Sequence, residues 1–151
     1  MASKTTLNAK NLEALGAVRL AQLLIEVSTG NAAAKRKLRL ALAGAQSPRE
    51  AAREITKRLT SIARARSFIT WKNRKALVTD LETQRRAIVE QIASADPDEA
   101  LALMWRFMAL ASPVFERCDD SSGTVIGIFH QACADLGQLG TRIYLSVFVE
   151  P

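Results

Sequence analysis

His130 is the only histidine of this 151-residue chain, and Cys118 and Cys133 are its only cysteines. Cys133 is the third residue after His130, a spacing that puts two side chains on one face of a helix. Cys118 would be a third ligand. Zinc takes four tetrahedral ligands, or three and a water, and this spacing matches no zinc finger. Two reduced, buried thiols beside a half-exposed histidine are the expectation, with no metal site. Asp119-Asp120-Ser121-Ser122-Gly123 is a second candidate, because adjacent carboxylates can hold magnesium or share a proton. No further acidic cluster with calcium-loop spacing accompanies it. Acidic and hydroxyl residues just before an amphipathic run are what a helix N-terminus takes, so capping is the expected role.

Other enzyme signatures are missing. There is no phosphate-cradling glycine loop, nucleophile elbow or metalloprotease histidine pair. A triad of His130 with Ser121 or Ser122 and an aspartate has only sequence proximity behind it. The expectation is a non-enzyme with no catalytic residue and no cofactor.

Cations are the richer signal. Arg49, Arg53, Lys57 and Arg64 share one face of a helix. Around a bend further on, Arg64, Arg66, Trp71, Lys72, Arg74 and Lys75 mix positive charge with aromatic rings, Phe68 included. Such a patch can grip phosphates and stack on bases. It lacks a helix-turn-helix or RNA-binding signature, and Phe68 and Trp71 read as core or hinge residues. Without Phe68, the other nine residues are the candidate surface for a protein partner, an acidic one, or for nucleic acid. Up to Ile92 there are 18 Lys and Arg against 7 Asp and Glu; from Ala93 on there are 3 against 8. A basic first part joined to an acidic second part implies electrostatic partners, or complementarity between the chain's own helices.

The elements that must hold these residues are helices. The chain is 48% hydrophobic and 24% charged, with only 5% aromatics and few glycines and prolines. Its alanine and leucine favour helix over strand. The most apolar run, Ala100 to Val114, is oily nearly all round and carries one charge, Arg106. It reads as a hub wrapped by other helices, Trp105 included. It is too short for a membrane span. Nothing at the N-terminus resembles a targeting segment, so a cytoplasmic protein without membrane contact is expected.

Leu7 to Leu15 and Val18 to Ser28 predict a helical hairpin, stopped by Gly30, with Asn31 capping a helix over Ala32 to Ala43. Ser47-Pro48-Arg49-Glu50 opens the next helix as a capping box, with Ala52, Ile55, Leu59 and Ile62 as its seam and Glu54–Arg58 as an attractive pair. A long helix runs from Trp71 to Ile92, with Arg85 and Arg86 among its outer cations. Asp96-Pro97-Asp98-Glu99 repeats the cap 49 residues on. That repetition fits either a two-repeat solenoid or convergent capping. Ser112-Pro113 ends or kinks the hub. A last amphipathic helix reaches about Leu139, and Ile143, Tyr144, Leu145, Val147, Phe148 and Val149 read as a strand-like tail.

Three runs are distinctive as phrases: NLEALGAVRLAQLLIEVSTGNAAAKRKLRLALAG, RARSFITWKNRKALVTDLETQRRAIVEQIA and DPDEALALMWRFMALASPVFERCDDSSGTV. They resemble an uncharacterised bacterial family, a domain of unknown function whose members resemble α-helical repeat proteins. The resemblance covers roughly Leu7 to Leu139. It implies an all-helical fold and brings no catalytic residue, cofactor or substrate. Members of that family are longer and continue with further helices, a pattern from which the strand-like tail departs.

The sequence thus predicts an all-α domain over 1–139, six or seven helices stacked as antiparallel hairpins, with an irregular or strand-like tail over 140–151. Its expected function is protein–protein interaction, with nucleic-acid association by the basic faces as the alternative. Self-association stays open.

Overall fold

A computed structural model describes residues 3–148. Among them are six helices of twelve residues or more, two of five residues, and no strand. The all-α class is as expected. The chain divides into two compact units, 1–36 and 37–151.

In the first unit, α1 (Ala9–Glu13) starts where the Asn8 side chain accepts the Asn11 N–H at 2.8 Å. Gly16 turns the chain at φ +84° into α2 (Ala17–Ser28), and Gly30 ends the hairpin at φ +74°. Both positive φ values need glycine. Of the helical residues here before Ala32, only Ser28 is buried. Leu7, Val18, Ile25 and Val27 stay exposed. A segment this short cannot build a core of its own. Helix α3 (Ala32–Gln46) follows, its start capped by Asn31, which accepts the Ala34 N–H. The leucine alternation at 38, 40 and 42 is helical, with Leu40 buried and Leu42 exposed.

The second unit carries the hydrophobic core. Ser47 caps α4 (Pro48–Arg64) by accepting the Glu50 N–H at 3.1 Å, and Pro48 sits in the first turn. Ala51, Ala52, Ile55, Leu59 and Ile62 are buried at helical spacing. Arg117 caps the other end, donating to the carbonyls of Ile62 and Ser67. Helix α5 (Trp71–Ala87) runs into a π turn, Ile88–Ile92, in which the Ala93 N–H reaches back five residues to the Ile88 carbonyl. The extra residue lets Ile88, Ile92 and Ala93 all face the core. Gly44 of α3 lies so close to this turn that a Cβ there would run into the Gln91 carboxamide.

Asp96 caps α6 (Pro97–Met108) by accepting the Glu99 N–H, repeating the first cap's geometry. A short α7 (Ala111–Phe115) leads to α8 (Thr124–Phe148). The hub helix breaks at Ala109 and Leu110, ahead of the expected Ser112-Pro113, and Pro113 falls inside α7. Helix directions follow from the contacts. Arg58 of α4 meets Asp80 of α5, and Ile92 lines one hollow with Ser47 and Pro48, so α5 and the π turn run antiparallel to α4. Asp96 lies by Ser47, and Arg106 by Thr60, so α6 runs parallel to α4. Helix α8 packs on α6 and α5. Consecutive long helices therefore alternate as hairpins do.

Two expectations are corrected here. Helix α6 packs on α4, the π turn and α8, as a hub should, but Trp105 is 60% exposed. The buried stripe is Ala100, Leu103, Met104, Phe107 and Leu110. At about 100° per residue, Trp105 lies roughly 160° round the wheel from its centre. Arg106, the one charge in the run, marked the solvent side. Secondly, the helix expected to stop near Leu139 continues to Phe148. The β-branched and aromatic residues there follow a helix already nucleated, and propensity is the weaker influence. The rest of the expected tail, Val149 to Pro151, lies outside the described residues.

Candidate functional site

The chemistry first suspected around Cys118 to His130 dissolves into structure. Cys118 is buried, and burial pushes its thiol above the ordinary range, with Asp120 adding to the effect. Cys133, expected to be buried, is exposed, because the core-facing stripe of α8 runs through Phe129, Ala132 and Asp135. Asp120 accepts the Val125 and Ile126 N–H groups at 2.9 Å each, which makes it the cap of α8. Asp119 accepts the Ser121 N–H, and that bond holds its carboxyl below the usual carboxylate range. No cluster of three or more His, Cys, Asp or Glu among the described residues could hold a metal ion.

Two ionic contacts lie inside the helix stack. Arg58 donates to Asp80 at 2.6 Å, and Asp80 is 3% exposed. Arg85 donates to Asp135 of α8 at 2.5 Å and to Glu82 of its own helix at 2.6 Å. The guanidinium is held above its ordinary range by Glu82 first, then by Asp135, against the opposing effect of burial. Two corrections follow. Arg85 is not an outer cation but a staple between α5 and α8. Arg58 pairs with Asp80, and Glu54 takes Lys57 at 3.3 Å. The single acid inside α8 was the available signal for the staple, since a lone charge on an apolar face needs a partner.

The remaining cations stay at the surface. Along the parallel helices α4 and α6 lie two open hollows that together make a groove, the larger hollow where the helix N-termini meet. This wide end, about 810 Å³, has Ala52 and Ile92 as its apolar floor, with Ala95 exposed beside them. Arg49, Arg53 and Lys57 line it on the α4 side, and Asp96 and Glu99 face them. Arg53 and Lys57 also pair with Glu50 and Glu54 along α4. One turn further on, a narrower hollow of about 220 Å³ lies between Thr60, Ala63, Arg64, Arg106 and Ala109. Arg106 donates across it to the Thr60 hydroxyl at 3.1 Å. A third hollow shares Ala63 and adds Arg66, Arg117 and Glu116. Seven cations and three carboxylates line the three hollows, and the carboxylates at the wide end leave the far end the more positive.

The other half of the candidate surface is separate in its setting. Chain 65–70 lies against the segment after α7, where Ile69 bridges to Cys118. Arg74 is half-buried and donates to the Asp119 carbonyl at 2.8 Å. Lys72 stands 5.6 Å over the Trp71 ring. Phe68 and Trp71, read from the sequence as core or hinge, are 62% and 67% exposed. The isolated bridge at Ile69 satisfies the bend without burying either ring.

Helices packed as hairpins, with an open basic groove and without a metal-holding cluster among the described residues, define an all-α helical module. The chain belongs to a family of unknown function, DUF6880, whose family model matches residues 2–146. No curated protein and no solved structure is significantly similar to it. Among the described residues no helix is long and apolar enough to cross a membrane.

Proposed function

We propose that the chain is a non-enzymatic interaction module that binds an acidic protein partner through the cations of α4 and their neighbours on α6. The observation that supports this most is the division of labour among arginines. Arg58 and Arg85 are spent on internal carboxylates, whereas Arg49, Arg64 and Arg106 face the open groove with no carboxylate bound to them among the described residues. Arginine is enriched at protein interfaces. Both cysteines are unpaired, which suits a reducing, cytoplasmic setting. The test is affinity purification from the native host with nuclease treatment. Wild-type protein should retain a nuclease-resistant acidic partner, and a variant with Arg49, Arg53, Arg64 and Arg106 changed to Glu should lose it. Equal retention by both proteins would refute the reading.

One observation favours nucleic acid as a second reading: Phe68 and Trp71 project into solvent beside Arg66, Lys72 and Lys75. Exposed rings among cations are a stacking platform for single strands. Binding through this bend would weaken steeply with salt and fail in Trp71→Ala.

A further inference from the structure

We infer that the α4–α6 groove is a seat for one amphipathic helix, acidic in its N-terminal half, lying antiparallel to α4 and α6. The inference rests on the proposal of an acidic protein partner and gives it a site, a shape and a direction.

Shape comes first. The two hollows lie in line between parallel helices, and α4, 17 residues or about 25 Å long, bounds the length a bound helix could span. The groove's floor is the buried strip of Ala52, Leu59, Ile92 and Leu110, and the small side chains of Ala63, Ala95 and Ala109 are exposed beside it, so a third helix can lie close to both walls. An extended strand would find no sheet edge here, because the exposed backbone of both walls is already bonded within helices. A helix with apolar residues at i, i+3, i+4 and i+7 fits such a furrow.

Charge then fixes direction. At the wide end Asp96 and Glu99 stand opposite Arg49 and Arg53, so an acidic segment gains little there. At the far end Arg64 and Arg106 line one hollow, and Arg66 and Arg117 line the next with Glu116. Among the described residues Arg106 donates to the neutral Thr60 hydroxyl, which a carboxylate can replace with a stronger, charge-assisted bond. The far end is also where α4 and α6 both present their carbonyl termini. A helix laid antiparallel brings its positive N-terminus there, and glutamates are most at home in a helix's first turns. Dipole and side-chain charge thus select the same orientation.

The experiment uses the full chain and four labelled probes, read by fluorescence anisotropy at about 0.15 M salt, where surface charge is partly screened. The first probe is a helical peptide with an apolar stripe and glutamates in its N-terminal half. The second carries the same glutamates in its C-terminal half. The third is the first with two central prolines, and the fourth is a twenty-residue oligothymidylate. The first peptide is expected to bind at least tenfold more tightly than the second and third. Arg64→Glu with Arg106→Glu, and separately Ala63→Trp, should each weaken it tenfold or more. Lys72→Glu with Lys75→Glu should leave it within twofold. Circular dichroism of each variant shows that folding is intact. Equal binding of the proline peptide, or no loss in the groove variants, overturns the helical seat while an acidic partner elsewhere survives. Oligothymidylate binding that is lost in the groove variants overturns it in favour of nucleic acid.

Discussion

On the α5 side of α4, Arg58 is drawn into the stack by a buried aspartate; on the α6 side, Arg53 and Arg64 lie along an open furrow. The same side chain therefore does opposite things a few residues apart. Inside, the ion pair fixes how α4 sits on α5, and its removal strands a charge. Outside, charge contributes almost nothing to folding and is free to act on a partner. What separates the two is position on the helix wheel, since Arg58 lies toward Asp80 while Arg49, Arg53, Lys57 and Arg64 share another face.

That contrast can be broken first where the effect is largest. Asp80→Ala should cost about 3–5 kcal/mol in urea unfolding, because it leaves Arg58 without its buried partner, and Asp135→Ala should cost less, because Arg85 keeps Glu82. Losses near zero would mean that water reaches these pairs. The same logic separates the two aromatics of α6. Phe107 is fully buried, and Phe107→Ala should cost about 3–5 kcal/mol. Trp105 is exposed, and Trp105→Ala should stay within about 0.5 kcal/mol. Equal costs would restore the picture of α6 wrapped on every side.

On the groove side, Arg64→Glu with Arg106→Glu should move stability by about 0.5 kcal/mol or less while abolishing partner binding. A large loss of stability would make these residues structural. The smallest effect is at the thiols. Iodoacetamide should modify Cys133 well before Cys118 at neutral pH, because Cys118 is buried and held protonated. Its raised pKa means that the folded state prefers the neutral thiol. This contribution is kept below the ordinary thiol range and lost as pH rises through the raised value. Equal labelling of both cysteines would show the segment around Cys118 to be open.

Much of the fold was legible because local signals agreed. Ser47-Pro48 and Asp96-Pro97 cap the helices they were expected to open, and Gly30 and Asn31 punctuate the chain where they should. The errors came from tertiary context. Trp105 and Phe107 are both large and apolar, and only the partner helices decide which is covered. Arg85 and Arg86 are identical neighbours, yet one meets Asp135 across the stack and the other an exposed Glu90. The basic face of α4 could be read from its spacing. Its opposite wall could not, because pairing α4 with α6 passes over α5, a juxtaposition that no local pattern encodes.

The groove's role is tested most directly by amide chemical-shift mapping with the N-terminally acidic helical peptide. The expected result is a continuous set of shifted amides along both walls, centred on Thr60, Ala63, Arg106 and Ala109, with those of Trp71 to Lys75 unmoved. Shifts confined to the Trp71 bend, or none along α6, would contradict it.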